Sequence, residues 1–199
     1  MNQDNHQRHW RIESRRTVYR GFYQIDEINF NHQRFDGASS GSVNRELFVR
    51  GNVVGLLPYD PATDSVALIE QFRIGAMNQQ PDPWLTEIIA GMIDTDESPA
   101  EVAIREAYEE AGISLDSVEL ISHYLASPGA STEEVFVFYA ETDLSGVSGL
   151  HGLADEDEDI QVGIYPAEQV FSMLKSRQIK NALSIVAVQW LKLKRAGLS

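Results

Sequence analysis

Residues 91–113 read GMIDTDESPAEVAIREAYEEAGI, and Pro99–Ala111 within them predicts a helix whose two ends are both marked. Ser98 is a favourable cap, Pro99 suits the first helical position, and Glu101 stands three residues after the cap, where it completes a capping box. Gly112 supplies the left-handed stop. On a helical wheel Ala100, Ile104, Ala107 and Ala111 form a packing face. Glu106, Glu109 and Glu110 lie at i, i+3 and i+4 and are expected roughly opposite it. Like charges at that spacing weaken a helix by about 0.2–0.5 kcal/mol per pair, and anions are disfavoured near a helix C-terminus. Arg105 is the only basic residue of the helix and can reach Glu109. Three glutamates alone are compatible with an acidic surface helix. They equally suit a hard divalent cation, which takes carboxylate oxygens and bridges to phosphates.

Outward from this helix, strand signals fill the first half of the chain. Aromatic and β-branched residues mark Thr17–Ile25 and Ile28–Phe35, followed by a turn-rich stretch, 36–41. Glu46–Arg50 and Val53–Leu57 come next, then a turn at Pro58–Pro61. Ser65–Arg73 reads as a buried strand and Trp84–Ala90 as a short one. Beyond the helix, strands are predicted at Val118–Leu125, Glu134–Thr142 and Ile160–Tyr165, and helices at Ala167–Lys175 and Asn181–Lys194. The last is apolar around most of its circumference and should pack on a sheet. Strands on both sides of a central helix predict an α/β fold, a mixed β-sheet layered between helices, with an antiparallel N-terminal β region. The expected division is 1–51 for that region and 52–199 for the main domain.

The 199 residues are 43% hydrophobic and 23% charged, as in an ordinary globular protein. A net charge of −14 would repel nucleic acid, so no nucleic-acid partner is expected. An acidic protein acting on phosphates needs bound metal or local arginines. The absence of cysteine excludes disulfides and thiolate metal sites. No apolar run approaches the ~18 residues of a membrane span, and the polar N-terminus lacks a signal-peptide core. The expectation is a cytoplasmic protein with no membrane partner.

Gly91, Glu97 and the run Arg105-Glu106-Ala107-Tyr108-Glu109-Glu110-Ala111-Gly112-Ile113 match the Nudix box, Gly-x5-Glu-x7-Arg-Glu-U-x-Glu-Glu-x-Gly-U, at every defined position. Ala107 and Ile113 take the aliphatic positions U. The chain therefore resembles the Nudix hydrolases, and the resemblance implies their fold and a loop-helix-loop site. In it Glu106 and Glu110 ligate metal with Glu109 close by, Arg105 orients the carboxylates, and Glu97 braces the loop or assists a metal. The Ala90 carbonyl is a further implied ligand, and Mg²⁺ is the implied ion, with Mn²⁺ a substitute.

Outside the box the chain is similar to bacterial ADP-ribose pyrophosphatases over nearly its whole length. The matching pieces include Tyr19–Phe22, Arg45-Glu46, Val66–Arg73, Pro83–Leu85, Ala126–Gly129 and Gly152–Glu156. Pro128, sixteen residues past Gly112, stands where a proline marks the ADP-ribose subgroup. The implied substrate is a nucleoside diphosphate sugar, ADP-ribose, cleaved to AMP and ribose 5-phosphate. Arg45 and Arg73 are candidates to hold the diphosphate, since a guanidinium fork suits phosphate oxygens; surface ion pairs are the plainer reading. Phe22 and Tyr23 are candidates to stack on adenine, or are simply core. Ser127, Gly129 and Glu133 surround a turn that can meet the distal ribose, and Glu46 is a weaker candidate for the adenosine.

The acidic run 155–159 is either a solvated loop or a mobile active-site loop. Resemblance puts a water-activating base at Glu156 and a metal ligand at Glu158. It also implies a homodimer in which the N-terminal strands exchange between subunits. Two rivals remain on sequence grounds. One is hydrolysis of another nucleoside diphosphate sugar such as GDP-mannose; the other is a non-catalytic ADP-ribose sensor, against which the intact glutamates count.

Overall fold

The computed structural model describes residues 8–78, 82–94, 96–153 and 157–198. In chain order the elements are β1 (Trp10–Arg20), β2 (Gln24–His32), β3 (Val43–Val49), β4 (Val53–Asp60), β5 (Ser65–Phe72), β6 (Trp84–Glu87) and β7 (Ile89–Met92). Helix α1 (Pro99–Ala111) follows, then β8 (Glu119–Leu125), β9 (Glu134–Glu141), β10 (Gly149–His151), β11 (Ile160–Pro166), α2 (Ala167–Lys175) and α3 (Ala182–Arg195). The chain divides into two compact units. One holds the residues through Gly51 with Leu125–Glu133, and the other holds Asn52–Tyr124 with Glu134 onward.

The first unit is built on an antiparallel sheet, β1-β2-β3. Its buried polar anchor is Asp26, which accepts hydrogen bonds from Arg15, Thr17 and Gln24 and so pins β1 to β2. β3 runs beside the loop after β8: Phe48 N–H donates to the Ala130 carbonyl at 2.7 Å, and Thr132 N–H returns a bond to Phe48 at 3.1 Å. Every residue of β1 is exposed, including Trp10, Ile12, Val18 and Tyr19.

The second unit carries a mixed sheet in the order β10-β11-β5-β4-β9-β8, with β6 added to β5 and β7 to β4. The β4–β9 pair is parallel, and β4, β5, β6, β7, β10 and β11 pair antiparallel. Strand alternation splits the core in two. Ala67, Ile69 and Phe138 pack with Val102, Ala103, Ala107 and Ala111 of α1. Val66, Leu68, Val135 and Val137 pack with Val170 of α2 and with Ala187, Val188 and Leu191 of α3. The sheet is thus layered between helices, the architecture expected from sequence. No helix among the described residues is long and apolar enough to cross a membrane.

Several local expectations are corrected. β1 begins at Trp10, not Thr17, because its ladder with β2 reaches back to a Trp10–His32 pair. The turn expected at Pro58–Pro61 starts later. Asp60 is still in β4, and its carboxylate accepts from the backbone of Ala62 and Thr63 to make the reversal. The stretch Trp84–Ala90 is two strands broken at Ile88, whose N–H leaves the ladder and donates to Ser184 Oγ of α3 at 2.9 Å. The buried face of α1 is Val102, Ala103, Ala107, Glu110 and Ala111. Ala100 and Ile104 are only partly covered, and Glu110 lies inward rather than opposite the core.

Candidate active site

Helix α1 begins and ends as its sequence dictates. Ser98 Oγ accepts from Glu101 N–H while Glu101 accepts from Ser98 N–H, closing the capping box. Gly112 takes φ 66°, a conformation costly for residues with a Cβ. The last turn of α1 holds no basic residue, so the helix itself places no cation where its dipole disfavours the glutamates.

One guanidinium knits the exposed side of the cluster. Arg105 reaches Glu109 at 2.7 Å, Glu106 at 3.1 Å and Glu97 at 3.2 Å. A fork with several donors can serve three carboxylates, where an ammonium would act as a point charge. Gly91 of β7 faces Glu106 so closely that a Cβ there would stand 2.0 Å from its Oε1. The glycine leaves the space that the carboxylate fills.

Glu110 is 1% exposed and accepts the Ala90 N–H at 2.9 Å. Burial raises its carboxyl well above the usual range; the Ala90 N–H opposes the rise, the charges of Glu106 and Glu158 add to it, and Arg73 opposes it. Glu106 is pushed up to about 7, first by burial, with Arg105 opposing and Glu109 and Glu158 adding. Glu158 therefore shares the field of both. The loop that carries it is tied down at its described ends: Gly152 N–H donates to the Glu109 carbonyl at 3.4 Å, and Glu158 N–H to Leu153 at 3.2 Å. Glu156 lies outside the described residues.

These groups suit a divalent cation. The donors are carboxylate and carbonyl oxygens, the carboxylates repel one another, and burial makes Glu106 and Glu110 harder to ionise than an ordinary acid. Among the described residues no three acids or histidines are gathered to hold a metal ion; Arg105 instead holds Glu97, Glu106 and Glu109.

Arg73, just past β5, lies in the same unit. Its Nε donates to Glu87 Oε2 at 2.8 Å, so the ion-pair reading describes it, and its charge still acts on Glu110. Phe22, Tyr23, Arg45, Glu46, Ser127, Gly129 and Glu133 all fall in the first unit. Phe22 and Tyr23 are exposed rather than core, packed edge to face at 4.8 Å. Arg45 and Glu46 project outward from β3, and Arg45 bonds only the Asn44 carbonyl among the described residues. Glu133 pairs with Arg50 at 3.5 Å. Ser127 closes a turn by accepting from Ala130 and Ser131 N–H groups.

A NUDIX domain family model matches residues 49–190. The chain belongs to the Nudix family. Members of this family are generally dependent on a divalent metal. This Nudix chain is 45% identical over 187 residues to the ADP-ribose pyrophosphatase of Escherichia coli K12, covering 94% of the chain and 90% of the relative. The ADP-ribose pyrophosphatase of Haemophilus influenzae is 41% identical, with coverage of 94% and 88%. A GDP-mannose pyrophosphatase of Enterobacter is 39% identical over a shorter stretch, covering 75% of the chain and 78% of the relative. In fold, the Nudix chain superposes on a crystal structure of an ADP compounds hydrolase with a TM-score of 0.71 at 18% identity, over 96% and 97% of the two chains.

Sequence reasoning missed Glu87, Asn181 and Ser184, which join the strand corner behind Arg73 to α3. The available signals were an acid alone in the apolar run WLTEIIAGM and an asparagine just before an apolar helix.

Proposed function

We propose that this protein hydrolyses ADP-ribose to AMP and ribose 5-phosphate with Mg²⁺ as its ion and Mn²⁺ as a substitute. The observation that carries the reading is the pairing of a buried, poorly compensated Glu110 with the Arg105-bound cluster of Glu97, Glu106 and Glu109. Sequence identity of 45% to an ADP-ribose pyrophosphatase supports the choice of substrate. Glu106, Glu110, Glu158 and the Ala90 carbonyl would hold the ion, with Glu97 assisting. The ion, when bound, supplies positive charge that neutralises a diphosphate and polarises its phosphorus.

The protein's own groups do the rest. Arg105 keeps Glu106 and Glu109 oriented. Arg73 grips diphosphate oxygens, because a guanidinium offers paired donors to them, and Arg45 does the same for the partner's site in the dimer proposed below. Phe22 and Tyr23 present exposed ring faces for adenine, Glu46 meets the adenosine, and Ser127, Gly129 and Glu133 meet the distal ribose. Glu156 takes the proton of the attacking water, which displaces one phosphate in line. We further propose a cytoplasmic homodimer formed through the N-terminal β region, supported by β1, whose apolar side chains Trp10, Ile12, Val18 and Tyr19 are uncovered.

The test is a panel of nucleoside diphosphate sugars with Mg²⁺, scored by product chromatography. ADP-ribose should give AMP and ribose 5-phosphate fastest. Faster cleavage of GDP-mannose would move the assignment to that substrate, and no turnover of any sugar would favour a sensor. Unchanged turnover in Glu156→Gln at saturating Mg²⁺ would reject Glu156 as the base. Sedimentation showing a fully active monomer would remove the dimer.

A further inference from the structure

We infer that Glu87 and Asn181 are positioning residues for Arg73, an anchor that lets the first turn of α3 set the aim of a diphosphate-binding guanidinium. This rests on the reading of Arg73 as a diphosphate contact.

Glu87 ends β6, and its side chain is 4% exposed. Both of its oxygens are used. Oε2 accepts from Arg73 Nε at 2.8 Å, and Oε1 accepts from Asn181 Nδ2 at 2.8 Å. Asn181 cannot turn its amide around, because its Oδ1 caps α3 by accepting from Ser184 N–H at 3.1 Å. Ser184 in turn accepts the Ile88 N–H, so α3 is fastened to the β6–β7 corner at Glu87 and at Ile88. Two donors converge on Glu87, and only a carboxylate offers two acceptors. A glutamine there would set its NH₂ against Arg73 or Asn181.

The bond from Arg73 uses Nε. Its two terminal nitrogens have no side-chain partner among the described residues, and the side chain is 37% exposed. The guanidinium is thus fixed at its root while its two outer nitrogens stay available, in the field of Glu110. A fixed root reduces the ordering cost of gripping an anion. Asn181 holds Glu87, Glu87 holds Arg73, and Arg73 meets the substrate.

The decisive variant is Asn181→Ser in the intact enzyme. Serine is as good a helix cap as asparagine, but it offers no amide donor to Glu87. A purely structural role for Asn181 predicts wild-type kinetics. The anchor predicts a KM for ADP-ribose raised about 5-fold with kcat within about twofold, since a contact made equally in ground and transition states is weakened. Glu87→Gln should raise KM further, by about 10-fold. In an Arg73→Ala background Asn181→Ser should add less than about twofold. A wild-type KM in Asn181→Ser, or the same penalty with Arg73 absent, overturns the anchor.

A readout free of substrate is the Nε–H signal of Arg73 in ¹⁵N-labelled protein, identified by its loss in Arg73→Ala. It should be protected from exchange in the parent and lose that protection in Asn181→Ser; retained protection overturns the anchor. A parent enzyme that cleaves no nucleoside diphosphate sugar would break the substrate reading alone, and the Nε–H signal still decides the anchor.

Discussion

Two glutamates of the same unit are buried almost equally, Glu87 at 3% and Glu110 at 1% exposure, yet their surroundings differ in kind. Around Glu87 an arginine and an asparagine amide converge, one on each oxygen. Around Glu110, among the described residues, one backbone N–H from Ala90 meets the carboxylate, and the charges of Glu106 and Glu158 press on it against that of Arg73. A buried acid with both oxygens matched is a structural tie. A buried acid left short of positive charge is poised for a cation, and the fold carries it at a cost. The difference separates what holds the second unit together from what it is for.

The largest expected effect bears on the uncompensated side. Glu110→Gln keeps an acceptor for the Ala90 N–H but loses the charge, so turnover should fall about 100-fold or more. Thermal stability without metal should hold or rise, because an unmatched buried charge has been removed. Near-parental turnover would erase the contrast. On the compensated side, Glu87→Ala should cost about 2–3 kcal/mol by denaturant unfolding, at the low end for a broken buried pair because Arg73 is more than a third exposed. A loss under about 0.5 kcal/mol would show that Glu87 ties nothing. Ser184→Ala strands the Ile88 N–H and should cost about 1–2 kcal/mol in the same assay.

The effect confined to metal-free protein is a slope. Glu106 is held near 7 when folded against an ordinary value of 4.5. A carboxyl raised in this way contributes stability fully below about 4.5 and loses it as pH rises through about 7. Metal-free protein should lose Tm over that window relative to Glu106→Gln, by on the order of ten degrees. Saturating Mg²⁺ should abolish the difference; equal slopes without metal would contradict the burial of Glu106.

Helix α1 was legible to the residue because its signals are local: Ser98, Pro99 and Glu101 at one end, Gly112 at the other. Its orientation was not. Alanines mark both Ala100 and Ala103, so the wheel carries little contrast, and Val102 rather than Ile104 turned inward. That rotation is what buries Glu110. The anchor at Glu87 stayed hidden for another reason: its partner Asn181 is ninety-four residues away, and no local pattern spans that distance. The layered sheet followed from the order of the elements, strands on both sides of a central helix with helices at the end. Where the break at Ile88 falls depends on a hydroxyl from α3, a tertiary choice.

Ala103, Ala107 and Ala111 line the buried side of α1, and Gly91 faces Glu106 with no side chain at all. The spacing between helix and sheet is therefore short by composition, with methyl groups where larger hydrocarbon would ordinarily fit. Anyone seeking a hardier enzyme by enlarging those alanines would push α1 outward and carry its carboxylates away from β7. Such a variant could fold well, melt later and still have lost its catalyst, so screens for robustness in this protein need an activity gate at every round.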